Sequence, residues 1–184
     1  MQWIAVLLVC GCVPYAVPPV TANVGGKVTD VRGSRMGLHV EVGADPLQLI
    51  AGQFHRSWDA SLSATYDRMG TTDAWGAAAA VGPVLFPWDV NPDDYAANRL
   101  VPQLVGRWTT QERAAGLRVT LEHSVFTDTR GKNTHGDAGT FGEAGVGLYV
   151  ESDVRKDELG SGWAVLFGVT LRVPFTIGIA CCLH

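Results

Sequence analysis

The sequence predicts an all-β fold, a single eight-stranded antiparallel up-and-down β-barrel, and three observations predict it. First, residues 56–67 alternate without a slip: Trp58, Ala60, Leu62, Ala64 and Tyr66 fall on one face, Ser57, Asp59, Ser61, Ser63, Thr65 and Asp67 on the other. A side-chain period of two is the mark of a strand with one apolar and one polar face. Second, such segments recur eight times, most of them 9–13 residues long, near the length of a tilted strand that crosses a bilayer. Third, the polar faces pool into a nearly balanced set of bases and carboxylates, which can satisfy one another inside a closed wall.

The chain opens on a short apolar run, Trp3 to Val9, followed by Cys10-Gly11-Cys12. Seven to ten apolar residues are too few to span a bilayer and suit the core of a secretory signal. With Gly11 before Cys12 and Val9 three positions before it, the segment resembles bacterial lipoprotein signals. The resemblance implies removal of 1–11 and lipidation of Cys12. Pro14, Pro18 and Pro19 then suggest a proline-rich tether over 12–22, leading into a barrel over 23–176 and a tail over 177–184. The four cysteines sit in pairs at the two ends, an arrangement unlike a disulfide framework threaded through a core.

The first segment covers 23–30, with Val24 and Val28 opposite Lys27 and Thr29. A turn at 32–34 leads to the second, where Met36, Leu38, Val40 and Val42 oppose His39 and Glu41. The third is 56–67. The fourth, 75–86, is nearly all Ala, Gly and Val and does not declare its faces. The fifth, 100–109, sets Leu100, Leu104 and Trp108 against Gln103 and Arg107. In the sixth, 115–126, Leu117, Val119, Leu121 and Val125 oppose Arg118, Thr120 and Glu122. The seventh sets Ala144, Val146, Leu148 and Val150 against Glu143, Tyr149 and Glu151. The eighth runs from Trp163 to Phe175, with Thr170 and Arg172 on its polar side. Pro83, Pro102 and Pro174 fall inside these segments, where each removes a ladder hydrogen bond and needs a bulge or a strand end. The longer connections, 45–55, 87–98 and 127–139, all fall on the side of the termini.

Two sets of residues follow. Lys27, Glu41, Asp59, Arg107, Arg118, Glu122, Glu143, Glu151 and Arg172 are expected to form a lumen ion-pair network that plugs the barrel, since eight strands enclose little more than side chains. Trp58, Tyr66, Trp75, Trp108, Trp163 and Phe175 are expected to form aromatic girdles, because amphipathic rings settle at headgroup level. Trp58 and Tyr66 bracket an apolar face roughly 27 Å long.

On this alternation, the aromatic ends and the closing segment Gly168-Val-Thr-Leu-Arg-Val-Pro-Phe175, residues 23–176 resemble the small eight-stranded outer-membrane barrels of the OmpA and OmpX type. The resemblance implies an outer-membrane location in a bacterial envelope, with membrane lipid and the outer-membrane assembly machinery as partners. It transfers no residue-level function.

Composition excludes one class: at a net charge of −4, with no basic stripe, the chain is not read as a nucleic-acid binder. Only three of fourteen bases are lysines (Lys27, Lys132, Lys156), whereas a soluble barrel usually coats its surface with Lys and Glu. Glu122, His123 and Ser124 invite a hydrolase reading, but adjacent residues on a strand point to opposite faces, so His123 and Ser124 cannot meet through this strand alone. The oxygen-rich stretch 127–137, with His135, matches no metal loop, and 91–95 reads as a turn. The expectation is a non-enzymatic envelope barrel with a structural or surface-interaction role, with no metal and no cofactor. The alternative is a lipid-tethered, soluble, lipocalin-like barrel, in which Trp58, Leu62, Trp108, Leu121 and Phe167 line a cavity for a lipophilic ligand.

Overall fold

In the computed structural model, residues 12–17, 19–30, 35–47, 57–85, 96–128, 138–157 and 160–181 are described. Nearly all of them are strand: β1 (Cys12–Val17), β2 (Val20–Thr29), β3 (Arg35–Ala44), β4 (Trp58–Met69), β5 (Thr72–Pro83), β6 (Ala96–Thr109), β7 (Glu112–Asp128), β8 (Ala138–Asp157), β9 (Gly160–Val173) and β10 (Phe175–Cys181). Strands β2 to β9 pair with their chain neighbours, every pair antiparallel. Strand β9 returns to β2 over Val20↔Val173 to Thr29↔Ala164, which closes an eight-stranded barrel.

The stagger can be followed once round the wall. From Val20 the register passes to Ala44, Leu62, Ala79, Gly106, Ala115, Val154 and Trp163. Trp163 faces Asp30, whose N–H donates to its carbonyl at 3.3 Å. The circuit therefore returns to β2 ten residues further on, at Asp30 instead of Val20. Eight strands with that stagger tilt by roughly 40° and put the backbone roughly 8 Å from the axis.

The sequence places the segments correctly but not every boundary. The fourth strand is Thr72–Pro83, not 75–86, and it is preceded by a two-residue turn with Gly70 at φ 65, a backbone conformation that costs glycine nothing. The expected tether at 12–22 contains β1 and the start of β2, and the expected tail contains most of β10. These extensions exist because β1 and β10 pair with each other in the same register as β2 and β9, from Val17↔Thr176 to Cys12↔Cys181. Strand β10 also pairs with the start of β8. The prolines are accommodated at breaks. Pro174 lies between β9 and β10. Leu85 and Leu100 exchange both backbone bonds at 2.9 Å, and the next such position would pair Pro83 with Pro102, neither of which has an N–H to offer.

Every wall strand sends one set of side chains in and the other out. On β4 the burial alternates residue by residue from Trp58 to Arg68. Strand β5, ambiguous by sequence, turns Ala74, Ala78 and Ala80 inward and Trp75 and Val81 outward.

Candidate functional site

The interior is a stack of charged side chains from seven of the eight wall strands, and it has three layers. At the short-turn end, β2 contributes Lys27, β3 His39, β4 Asp67, β7 Glu112 and β8 Arg155. Lys27 donates to Asp67 and, at 2.8 Å, to Glu112. Arg155 pairs with Glu112, and His39 Nδ1 lies 2.6 Å from Asp67. In the middle, Arg118 grips Glu41 with both terminal nitrogens (3.1 and 2.6 Å) while its Nε donates to Glu151 at 2.7 Å. Arg107 donates to Glu151 at 2.6 Å and to Asp153 at 2.5 Å. At the terminus end, Arg172 donates to Asp45 at 2.6 Å, to Asp59 at 3.0 and 3.1 Å and to Glu122 at 3.1 Å. Arg99 adds a second bond to Glu122 at 2.9 Å, and Gln103 one to Asp59 at 3.0 Å.

The layers are not independent. His39 Nε2 stands 3.5 Å from Glu41, joining the first layer to the second. Ser63 donates to Glu41 at 2.9 Å and Ser124 to Glu122 at 3.0 Å, so hydroxyls occupy carboxylate lone pairs that the guanidinium groups leave. Arginine suits this work: its planar fork reaches two carboxylates at once, which a lysine ammonium cannot do with comparable geometry.

Inner space is shared out by size. Tyr149 is the one aromatic among the described interior residues, 1 % exposed, with the Arg118 guanidinium 5.4 Å from its ring centre. Beside it in register stand Gly168 and then Gly25. A Cβ on Gly25 would strike the Phe167 carbonyl and one on Gly168 the Val24 carbonyl, so the two strands approach closely there and leave room on the inner side. Two small cavities lie among the described residues: one of about 60 Å³ at the short-turn mouth, bordered by Lys27, Asp67, Glu112 and Arg155, and one of about 20 Å³ beside Asp59, Gln103, Glu122 and Arg172. The second has room for about one water. The arrangement can hold charge and exclude bulk solvent. Among the described residues it leaves no open lumen.

Of the residues expected in the lumen, Lys27, Glu41, Asp59, Arg107, Arg118, Glu122, Glu151 and Arg172 are buried there. The Glu143 side chain lies outside the described residues. Sequence reading left out His39, Asp45, Asp67, Arg99, Glu112, Asp153 and Arg155 from the network. Arg99 and Asp153 sit one and two residues past the assumed ends of their segments, so extending the alternation would have found both. Asp45 follows the last residue of β3 and carries no such signal.

The outer wall has the opposite chemistry. Leu62, Leu104, Leu121, Leu148, Phe167 and Leu171 are all 43 % exposed or more. Tyr66 and Trp75 are cross-strand partners with ring centres 4.5 Å apart. Trp108 on β6 and Trp163 on β9 continue the same belt at the short-turn end, and Trp58 stands at the opposite margin. The Phe175 side chain lies outside the described residues. Between the two margins, a little over roughly 20 Å along the axis for strands tilted this much, Ser152 is the single polar outward side chain among the described residues. The residues that a lipocalin-like barrel would turn inward, Trp58, Leu62, Trp108, Leu121 and Phe167, all face out.

His123 and Ser124 are on opposite sides of the wall: His123 is exposed and its Nδ1 lies 2.8 Å from Asn98 Oδ1, while Ser124 is buried against Glu122. Residues 91–95 and most of 127–137, including His135, lie outside the described residues. Cys12 is the first residue of β1, opposite Cys181. No family model, no curated protein and no solved structure matches the chain.

Proposed function

We propose that this chain is a membrane-spanning barrel of a bacterial outer membrane, non-enzymatic, with a structural or surface-interaction role and a lumen closed by its own ion pairs. The observation that carries the reading is the inverted distribution of polarity. A soluble barrel buries apolar side chains and wets its charges; here the charges are inside, and an apolar band bounded by aromatic rings is outside. Water gives no reason for that arrangement. Lipid does, because its hydrocarbon layer takes an apolar band of about 25 Å with aromatic girdles. Closure fits as well, since every wall strand has partners on both sides and no backbone edge would meet hydrocarbon. Membrane lipid and the outer-membrane assembly machinery are the partners this reading requires.

The test is extraction and gel migration. After high-salt and carbonate washing the protein should stay with the envelope membranes, and in detergent it should migrate differently before and after boiling. Release by carbonate, or a single unshifted band, ends the reading. In planar bilayers the folded protein should give no steady conductance; a wide open pore would contradict the plug.

A further inference from the structure

The belt at the short-turn end is not aromatic all the way round. Its outward positions run Tyr66 on β4, Trp75 on β5 and Trp108 on β6, but β7 presents Arg113 and β8 presents Lys156 before Trp163 on β9 resumes the rings. Arg113 is the cross-strand partner of Trp108 on one side and of Lys156 on the other. Two like charges directly opposite each other weaken an antiparallel pair unless something neutralises them. Two carboxylates described on this rim are committed elsewhere. Asp73 accepts from the Tyr66 hydroxyl at 2.8 Å and faces Arg68 at 3.9 Å, and Asp30 accepts the Trp163 N–H at 2.7 Å. Neither Arg113 nor Lys156 has a carboxylate partner among the described residues, and both are exposed.

We propose that Arg113 and Lys156 form a clasp for the phosphate of an anionic phospholipid headgroup. A phosphodiester placed between them would replace the like-charge contact with charge-assisted hydrogen bonds from both side chains, the guanidinium fork and the ammonium sharing its two non-bridging oxygens. The position supports a lipid as the source, since Trp108 and Trp163 flank the pair and the apolar band lies directly below it. A headgroup held here keeps its chains against Leu117, Val154 and their neighbours. The inference rests on the membrane reading above and adds one specific contact to it.

The test uses the full chain folded in neutral maltoside micelles, titrated with phosphatidylglycerol or phosphatidylcholine and followed by native mass spectrometry. Phosphatidylglycerol should be retained about tenfold more strongly than phosphatidylcholine, and the Arg113→Gln/Lys156→Gln double variant should lose that preference. Arg68→Gln, on the same rim but paired with Asp73, should keep it. Equal retention of both lipids, or a preference that survives in the double variant, overturns the clasp. Inorganic phosphate binding as tightly as the lipid would overturn the lipid assignment in favour of a free anion. Insertion into neutral phosphatidylcholine vesicles and the heat-dependent gel shift are recorded alongside. If these hold while the lipid preference is absent, the clasp alone fails; if they are absent, the membrane reading fails with it.

Discussion

Strands β5 and β7 lie two places apart in the barrel and treat the lumen in opposite ways. Strand β7 fills it: Arg118, Thr120, Glu122 and Ser124 point inward, and Arg118 alone engages Glu41 on β3 and Glu151 on β8. Strand β5 vacates it: its inner positions are Ala74, Gly76, Ala78, Ala80 and Gly82. Between the two margins the outer faces of both are apolar. A narrow barrel has a fixed inner volume, so guanidinium groups that cross it from β6 and β7 need facing strands with almost no side chain. Ala78 makes the dependence concrete, for it is flanked in register by Ser63 on β4 and Arg107 on β6. The small residues of β5 and the long ones of β7 are one design.

That comparison can be broken most forcefully on β7. Arg118→Ala leaves Glu41 and Glu151 buried beside a void, and the loss of a buried partner should cost about 3–5 kcal/mol, read from equilibrium urea unfolding in micelles or vesicles. An unchanged midpoint would show that these charges are solvated. On β5, Ala78→Leu should cost about 1–3 kcal/mol, because the added methylenes enter space that Arg107 occupies. The same substitution one residue earlier sharpens the contrast: Ala77 is exposed on the outer wall, and Ala77→Leu should move stability by about 0.5 kcal/mol or less. A larger penalty at 77 than at 78 would mean that the inner and outer faces of β5 are assigned the wrong way round. The smallest effect belongs to a charge pair outside the lumen. Arg68 and Asp73 are 3.9 Å apart and more than half exposed, so Arg68→Gln should change the unfolding free energy by less than about 0.5 kcal/mol.

Much of this was legible in the sequence, and the limits have physical causes. Alternation on β4 and β7 states the strands and their two faces, because polar and apolar residues differ in kind at successive positions. On β5 both faces are Ala and Gly, so the pattern is silent, and only the neighbours' need for space decides which face is inner. Alternation also cannot say which face of a barrel is the interior. The fold resolves that through the mutual distances of Arg118, Glu41 and Glu151, contacts between residues 33 and 77 apart along the chain that no local pattern encodes. The basic break in the belt was hidden for a related reason: Arg113 and Lys156 lie just outside the segments that alternation marks, and their opposition appears only with the register of β7 against β8.

The seam between β2 and β9 carries a kinetic consequence. Its partners are the most distant in the wall, with Asp30 and Trp163 separated by 133 residues, whereas the other pairings join adjacent hairpins. Loop entropy grows only logarithmically with length, yet this contact is available solely after the six intervening strands have stacked in register, and non-local pairing of this kind slows folding. Until then the edges of β2 and β9 are unpaired and can recruit another chain. Closure is therefore the committing event of assembly, and a variant that slows it, such as Gly168→Val at the glycine contact across the seam, should accumulate as an open, association-prone sheet before it loses any thermodynamic stability that the hairpins supply.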